Sequence, residues 1–143
     1  MLAVLFSLGS RRYGLDAATV ERIVPAVPLR AAAAGQGQAD GVFTYRGGPV
    51  PVVDLARLMG KAPSRIHLST RIILVRNPAA GAARLLGLLA EQVNEVRHVA
   101  GLSSARPGAE DKMAPRIVSL EDLLPRDLLV TISNPVEVEA KSP

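Results

Sequence analysis

The sequence contains no cysteine and no tryptophan, and only four of its 143 residues are tyrosine or phenylalanine. Without cysteine the chain has no disulfide framework, no thiolate metal ligand and no thiol nucleophile. The absence of disulfides also fits a reducing compartment such as the cytoplasm. The scarcity of aromatic rings leaves little material for a platform on which nucleic-acid bases could stack.

Long apolar runs are lacking as well. The apolar stretch at residues 2–8 is too short to span a membrane, and it has no positively charged segment before it as a signal peptide would. We therefore expect a cytoplasmic protein with no segment inserted in a membrane. The hydrophobic content of 48% and the length of 143 residues predict one compact domain with a real core.

The net charge of +4 is unevenly distributed. Residues 1–90 carry 11 basic and 4 acidic side chains, whereas residues 91–143 carry 6 basic and 9 acidic ones. Because no run of like charge is longer than Arg11–Arg12, arginines scattered over a solvated surface explain this asymmetry most simply. A small basic β-barrel that binds nucleic acid, suggested by the pI of about 10.1, is the alternative function.

Short apolar segments separated by glycine and proline turns predict a mainly β chain. The predicted strands are residues 2–8, 41–46, 49–53, 72–75, 85–89 and 117–118. Four short helices are predicted between them, at Ala17–Val24, residues 55–59, Ala90–Val96 and residues 120–124. Asp16, Asp54 and Ser119 stand directly before three of these helices, where each side chain can cap the first turn.

The chain is built as two imperfect copies of one unit. The pattern Gly-Leu-x-Ala-x-x-Val at residues 14–20 recurs 73 residues later, at 87–93. The apolar strand and capped helix at residues 52–59 recur 65 residues later, at 117–124, so the second copy is eight residues shorter. Internal repetition of strands and turns predicts two small β-barrels packed side by side, with a groove at their junction.

We therefore expect one domain over residues 1–143, with a first barrel at 1–65, a second at 66–132, and strands that exchange across this approximate boundary. Residues 133–143 are expected to form a flexible tail. Gly101–Pro115 shows no alternating apolar run, so the second barrel is predicted to be shortened. It either lacks a strand or recruits Leu128–Ile132 as its replacement.

No constellation for catalysis is visible. The two histidines, His67 and His98, are far apart in the sequence and have no clustered acidic residues beside them, which argues against a metal site. Neither a G-x-G-x-x-G nor a Walker phosphate-binding motif occurs. We predict a protein that is not an enzyme and that holds no cofactor or metal.

Two stretches resemble the CheW family, the coupling proteins of bacterial chemosensory arrays. The first is Phe6-Ser7-Leu8-Gly9 followed by Tyr13-Gly14-Leu15-Asp16, with Val20 and Ile23 at the expected spacing. The second and more specific stretch is the sequence GVFTYRGGPVPVVDL at residues 41–55. The resemblance implies two SH3-like β-barrel subdomains. It also implies a non-catalytic adaptor that couples the cytoplasmic tips of chemoreceptors to the regulatory domain of a CheA-type histidine kinase.

The same resemblance implies a receptor-binding groove. By position, the groove would be formed by Ala17, Val20, Arg22 and Ile23 on the first helix, facing Gly41, Arg46 and Gly47.

Two groove positions depart from the family pattern. The family usually has an acidic residue where Arg22 stands, and here the acidic side chain is Glu21. Arg22 near Arg46 would favour an acidic patch on the partner. For Arg46 the residues leave two roles open, a partner contact or a bond that ties the turn to its own barrel.

Overall fold

The computed structural model describes residues 1–31, 39–79, 84–99 and 114–133. Strands predominate in these residues, and the helices are short. The strands are β1 (Leu2–Leu8), β2 (Arg11–Asp16), β3 (Val20–Pro25), β4 (Gly41–Tyr45), β5 (Gly48–Asp54), β6 (Arg71–Arg76), β7 (Leu85–His98) and β8 (Arg116–Val118). The helices are α1 (Leu55–Leu58), α2 (Leu120–Leu123) and α3 (Arg126–Ser133), and a 3₁₀ turn spans Ala17–Thr19.

The strands are arranged as two half-barrels that share β7. The five-strand half has the pairing order β3–β6–β7–β5–β4, and the four-strand half has the order β7–β1–β2–β8. Pairing closes neither half completely within the described residues, although an isolated bridge between Arg30 and Val42 brings the chain after β3 to the edge of β4. The predicted mainly β fold with short helices is confirmed. The shortening of the second barrel stays a prediction, because residues 100–113 lie outside the described part of the chain.

The repeat in the sequence is a repeat in space, with strands exchanged between the copies. Gly14 on β2 pairs with Ile117 on β8, and the equivalent Gly87 on β7 pairs with Val52 on β5. In both cases a strand from one copy lies parallel to a strand of the other copy. Each half therefore contains strands from both copies, and the division of the chain at residue 65 stays a prediction about the sequence.

The two equivalent glycines allow the exchanged strands to approach closely. A Cβ atom added at Gly14 would lie 2.6 Å from Cδ1 of Ile117, and one added at Gly87 would lie 2.9 Å from Cγ2 of Val52. Side chains at these positions would overlap their neighbours, which explains why both copies carry glycine inside a strand.

The main core lies between the two half-barrels and beneath the C-terminal helices. Side chains of α3 complete it, because Leu128, Leu129 and Ile132 are all buried. The side-chain amide of the buried Asn77 donates to the backbone carbonyl of Leu129 at 3.0 Å and ties α3 to the end of β6. The predicted recruitment of residues 128–132 as a strand is therefore wrong. The spacing of these apolar residues is that of a helix face, directly after Pro125.

Two of the predicted helices are also wrong, for one shared reason. Residues 20–24 of the predicted helix Ala17–Val24 lie within β3, and the predicted helix Ala90–Val96 lies within β7. The register of β3 shifts between Val20 and Arg22, and that of β7 shifts against β1. The irregularity adds one residue in β3 and two in β7, so apolar side chains three positions apart, such as Val20 and Ile23 or Ala90 and Val93, face the same core. This spacing imitates a helix.

The predicted caps are confirmed. Asp16 accepts a hydrogen bond from the backbone of Ala18, Asp54 from that of Ala56, and Ser119 from that of Asp122. The interval 100–113, on which the missing strand depends, and the tail after residue 133 lie outside the described residues.

Candidate partner-binding site

The β3 residues of the predicted groove divide between two faces of their strand. Val20 and Ile23 are partly buried and pack against the main core, opposite Val75 and Ile73 of β6. Arg22 is exposed on the strand between them. These side chains were predicted to lie around a helix, whereas the bulge of β3 turns Val20 and Ile23 inward and leaves Arg22 exposed.

Glu21 does not pair across the predicted groove. Its Oε1 atom lies 3.2 Å from Nη2 of Arg76, at the end of the neighbouring strand β6. Arg76 also donates from Nη1 to the carbonyl of Ala18, at 3.4 Å. The acidic side chain beside Arg22 is therefore engaged within the five-strand half, and the exposed face of β3 presents a cation.

Arg46 and Gly47 form the two-residue turn between β4 and β5. Both have positive φ angles, 50° for Arg46 and 83° for Gly47, as a type I′ hairpin requires. The guanidinium of Arg46 lies over the ring of Tyr45, with Cζ 5.1 Å from the ring centroid. This contact ties the arginine to its own hairpin while the residue remains exposed.

Gly41 allows two backbone segments to pack closely, because it has no side chain. It is buried at the start of β4, and an added Cβ would lie 2.5 Å from Cβ of Leu29 and 2.9 Å from the carbonyl oxygen of Arg30. Only glycine allows the chain after β3 to approach the edge of β4 closely enough to form the Arg30–Val42 bridge.

The seven predicted groove residues therefore lie in two separate groups. Ala17, Val20, Arg22 and Ile23 belong to the 3₁₀ turn and β3, and Gly41, Arg46 and Gly47 belong to the β4–β5 hairpin. β3 and β4 are the two outer strands in the pairing order of the five-strand half. Within the described part of the chain, no strand pairing or ion pair joins the two groups.

A cleft lies at the junction of the two halves. The sequence predicted a groove there but did not identify the residues that line it. Its volume is about 250 Å³, and the 3₁₀ turn, the end of β6 and the start of α2 border it. Its lining includes apolar Leu15, Val118 and Leu120, together with the charged Asp16 and Arg76. The repeat predicted a junction groove, but Asp16 was interpreted only as a cap.

The carboxylates near the helix starts serve the backbone. Asp54 is 4% exposed, and it accepts hydrogen bonds from the backbone N–H and the hydroxyl of Ser64 at 2.9 and 2.7 Å, besides capping α1. Hydrogen bonds from the backbone N–H and hydroxyl of Ser119 lower the pKa of Asp122 below its ordinary value of 3.8. Their geometry suits capping rather than acid–base chemistry.

The described residues hold no group of three potential metal ligands among histidine and acidic side chains. The rings of Phe43 and Tyr45 stack at 6.3 Å and are half-buried against the interior of the five-strand half. Their faces are used in packing, which disfavours the alternative of a base-stacking surface beside Arg46.

Over residues 1–31, 39–79, 84–99 and 114–133, no helix is both long and apolar enough to cross a bilayer.

Comparison with known proteins gives a matching family model and several similar solved structures. The model of the CheW-like domain family matches residues 2–122 of the chain. The crystal structure of the scaffolding protein TtCheW from Thermoanaerobacter tengcongensis is similar, with a TM-score of 0.58 and 28% sequence identity. That match covers 68% of this chain and 61% of the other, less than two thirds of the relative's length. No curated protein matches the sequence.

Proposed function

The chain belongs to the CheW-like domain family, and from this premise we propose that it is a non-catalytic adaptor. It couples the cytoplasmic tips of chemoreceptors to a CheA-type histidine kinase, and it works in the cytoplasm. The observation that carries the proposal is the family match over residues 2–122. The similarity to a protein described as a scaffold supports it.

The mechanism of such an adaptor is geometric. A protein that binds two partners at once raises their effective concentration for each other and fixes their relative orientation. The two half-barrels share β7 and the main core, so they offer two different surfaces on one folded unit. This arrangement suits a bridge between two proteins, and it needs no bond-making residue.

We place the receptor on the five-strand half. The candidate residues are Ala17, Val20, Arg22, Ile23, Gly41, Arg46 and Gly47. Of these, Arg22, Arg46 and Gly47 are exposed and would make the main contacts, Ala17, Val20 and Ile23 are partly buried, and the buried Gly41 would act only by positioning the hairpin. Arg22 and Arg46 are exposed, and neither forms an ion pair with a described residue. Two exposed cations favour a receptor surface that carries carboxylates, because opposite charges speed encounter and reject partners of the wrong sign. For the regulatory domain of the kinase we propose the four-strand half, because it is the surface that a receptor on the five-strand half leaves free.

The proposal is tested by co-purification with a chemoreceptor signalling hairpin and, separately, with a CheA regulatory domain. We expect both partners to bind at micromolar concentration. Arg22→Ala and Arg46→Ala should each weaken receptor binding about 10-fold, a loss of about 1.4 kcal/mol, and leave kinase binding unchanged.

Arg65→Ala is the matched control, because Arg65 is also exposed and its side chain is not a candidate contact. If the folded protein binds neither partner at micromolar concentration, the adaptor function is wrong. If both partners bind and the two arginine variants behave like the control, the function stands and the receptor surface lies elsewhere.

A further inference from the structure

The strand β7 passes from one half-barrel to the other, and it bends where it passes. Its first part, to Ala90, pairs with β6, whereas its second part pairs with β1. The register against β1 jumps between the pairs Ser7–Glu91 and Leu5–Glu95. Three β7 residues thus stand opposite one residue of β1, which is a bulge.

The bend places a residue other than glycine in a disfavoured backbone conformation. Gln92 has a φ angle of 53°, in the left-handed region that residues with a Cβ atom rarely adopt. Val93, which follows it, is buried in the main core. Such a conformation persists only where surrounding contacts hold it.

The first set of contacts comes from the four-strand half. Arg12 on β2 donates from Nη1 to the carbonyl of Gln92 at 2.8 Å and to Oγ of Ser7 at 3.0 Å. The hydroxyl of Ser7 donates in turn to Oε1 of Gln92 at 2.6 Å. Arg12 also reaches Oδ1 of Asn94 at 3.4 Å and the carboxylate of Glu95 at 3.7 Å.

The second set of contacts comes from the five-strand half. Arg71 at the start of β6 donates from Nη1 to the carbonyl of Val93. The backbone N–H of Val93 donates to the carbonyl of Ser69 at 2.8 Å. Two successive carbonyls of the bend, on Gln92 and Val93, are therefore bonded by two arginines that belong to different halves.

We propose that Arg12 and Arg71 are positioning residues that fix the angle between the two half-barrels through the bend of β7. A bulge disrupts the ladder and leaves backbone groups without strand partners. Each arginine supplies a charged donor to one such carbonyl, and a charged donor makes a stronger bond than a neutral one. Because one arginine comes from each half, rotation of one half against the other would strain the bonds that both make to the bend. The inference stands on the fold alone and does not depend on the proposed function.

The absence of cysteine makes the angle measurable. The substitutions Pro49→Cys on β5 and His98→Cys at the end of β7 introduce one spin label into each half, at exposed positions. Electron–electron dipolar spectroscopy then gives the distribution of distances between the halves. We expect Arg12→Ala and Arg71→Ala each to broaden this distribution, and the double variant to broaden it further.

Arg97→Ala is the matched control. Arg97 also lies on β7 and pairs with Glu95, but it makes no bond to the Gln92 or Val93 carbonyls. We expect it to leave the distribution unchanged, and we expect Arg12→Lys and Arg71→Lys to restore part of the narrow distribution, since lysine keeps a charged donor.

Thermal unfolding, followed by circular dichroism, separates positioning from simple stabilisation. If the arginine variants lower the melting temperature while the distance distribution stays as narrow as in the parent, the positioning role is wrong. The same conclusion follows if Arg97→Ala broadens the distribution as much as the others. The single variants carry the test even if the double variant fails to fold, because Arg12 is partly exposed and its loss removes only one set of contacts.

Discussion

The chain passes between the two half-barrels twice within the described residues, and the two crossovers are built differently. In the first copy the passage is the 3₁₀ turn Ala17–Thr19, whose ends are bonded locally by Asp16 and Thr19. In the second copy the equivalent residues, 90–92, remain in β7, and the bend at Gln92 depends on distant Arg12 and Arg71.

The comparison shows how one architecture arises from two local solutions. The turn satisfies its polar groups with its own neighbours, so it depends little on the rest of the molecule. The bulge keeps β7 continuous, but it needs donors from both halves. Corresponding substitutions in the two copies should therefore have unequal effects, which three contrasts and one pH experiment can test.

The largest difference is expected at the equivalent caps Asp54 and Ser119. Asp54→Ala should lower the free energy of unfolding by about 3 kcal/mol, because it leaves a buried donor of Ala56 and partly buried donors of Ser64 without an acceptor. Ser119→Ala removes an ordinary cap and should cost about 1 kcal/mol. Urea unfolding of both variants measures the difference, and equal losses would contradict it.

The equivalent glycines come next. Gly87→Ala should cost about 2 kcal/mol, since the new Cβ meets the short, branched Ile72 and Val52 at 2.9 Å. Gly14→Ala should cost about 1 kcal/mol. The atoms nearest Gly14 are the flexible ends of Ile117 and Leu5, which can move aside.

Urea unfolding of the two glycine variants shows which one loses more unfolding free energy, and we expect the larger loss for Gly87→Ala. A greater loss for Gly14→Ala would show that distance alone, rather than the stiffness of the neighbour, controls the cost.

The crossovers themselves should differ by a smaller amount. Arg71→Ala removes a charged bond to the carbonyl of Val93 and should cost about 1–2 kcal/mol. Arg76→Ala, at the first crossover, loses a 3.4 Å bond to Ala18 and an exposed ion pair with Glu21, and should cost less than about 1 kcal/mol. Hydrogen exchange of the amide of Val93 should accelerate in the first variant only.

The smallest effect concerns pH. The pKa of Asp122 is lowered in the folded protein by bonds from Ser119, so this carboxylate stabilises the fold above its ordinary pKa of 3.8. That contribution disappears as the pH falls through the lower, folded-state pKa. Asp122→Asn should therefore show a smaller loss of stability than the parent between pH 6 and pH 3. The same loss in both proteins would contradict the assignment.

Local patterns in the sequence predicted most strands, the three caps and the internal repeat. They could not reveal that the copies exchange strands. Gly14 and Gly87 would be equally needed if each copy paired with itself, so the repeat alone is compatible with both arrangements. Only the pairing of Gly14 with Ile117 and of Gly87 with Val52 distinguishes them.

The candidate site was predicted only in part. The spacing of Val20 and Ile23 correctly identified two side chains on one face, but a bulge and a helix give the same spacing. The difference depends on whether β6 is available as a partner, which is a long-range property. The junction cleft was expected from the repeat, yet its lining comes from segments distant in the sequence.

The central claim is that this CheW-like chain binds two partners at once. Sedimentation velocity of a mixture with a chemoreceptor signalling hairpin and a CheA regulatory domain tests it directly. We predict one fast boundary that contains all three proteins, and slower boundaries when this chain is omitted. Binding of the two partners in turn, each displacing the other from the folded chain, would contradict the account.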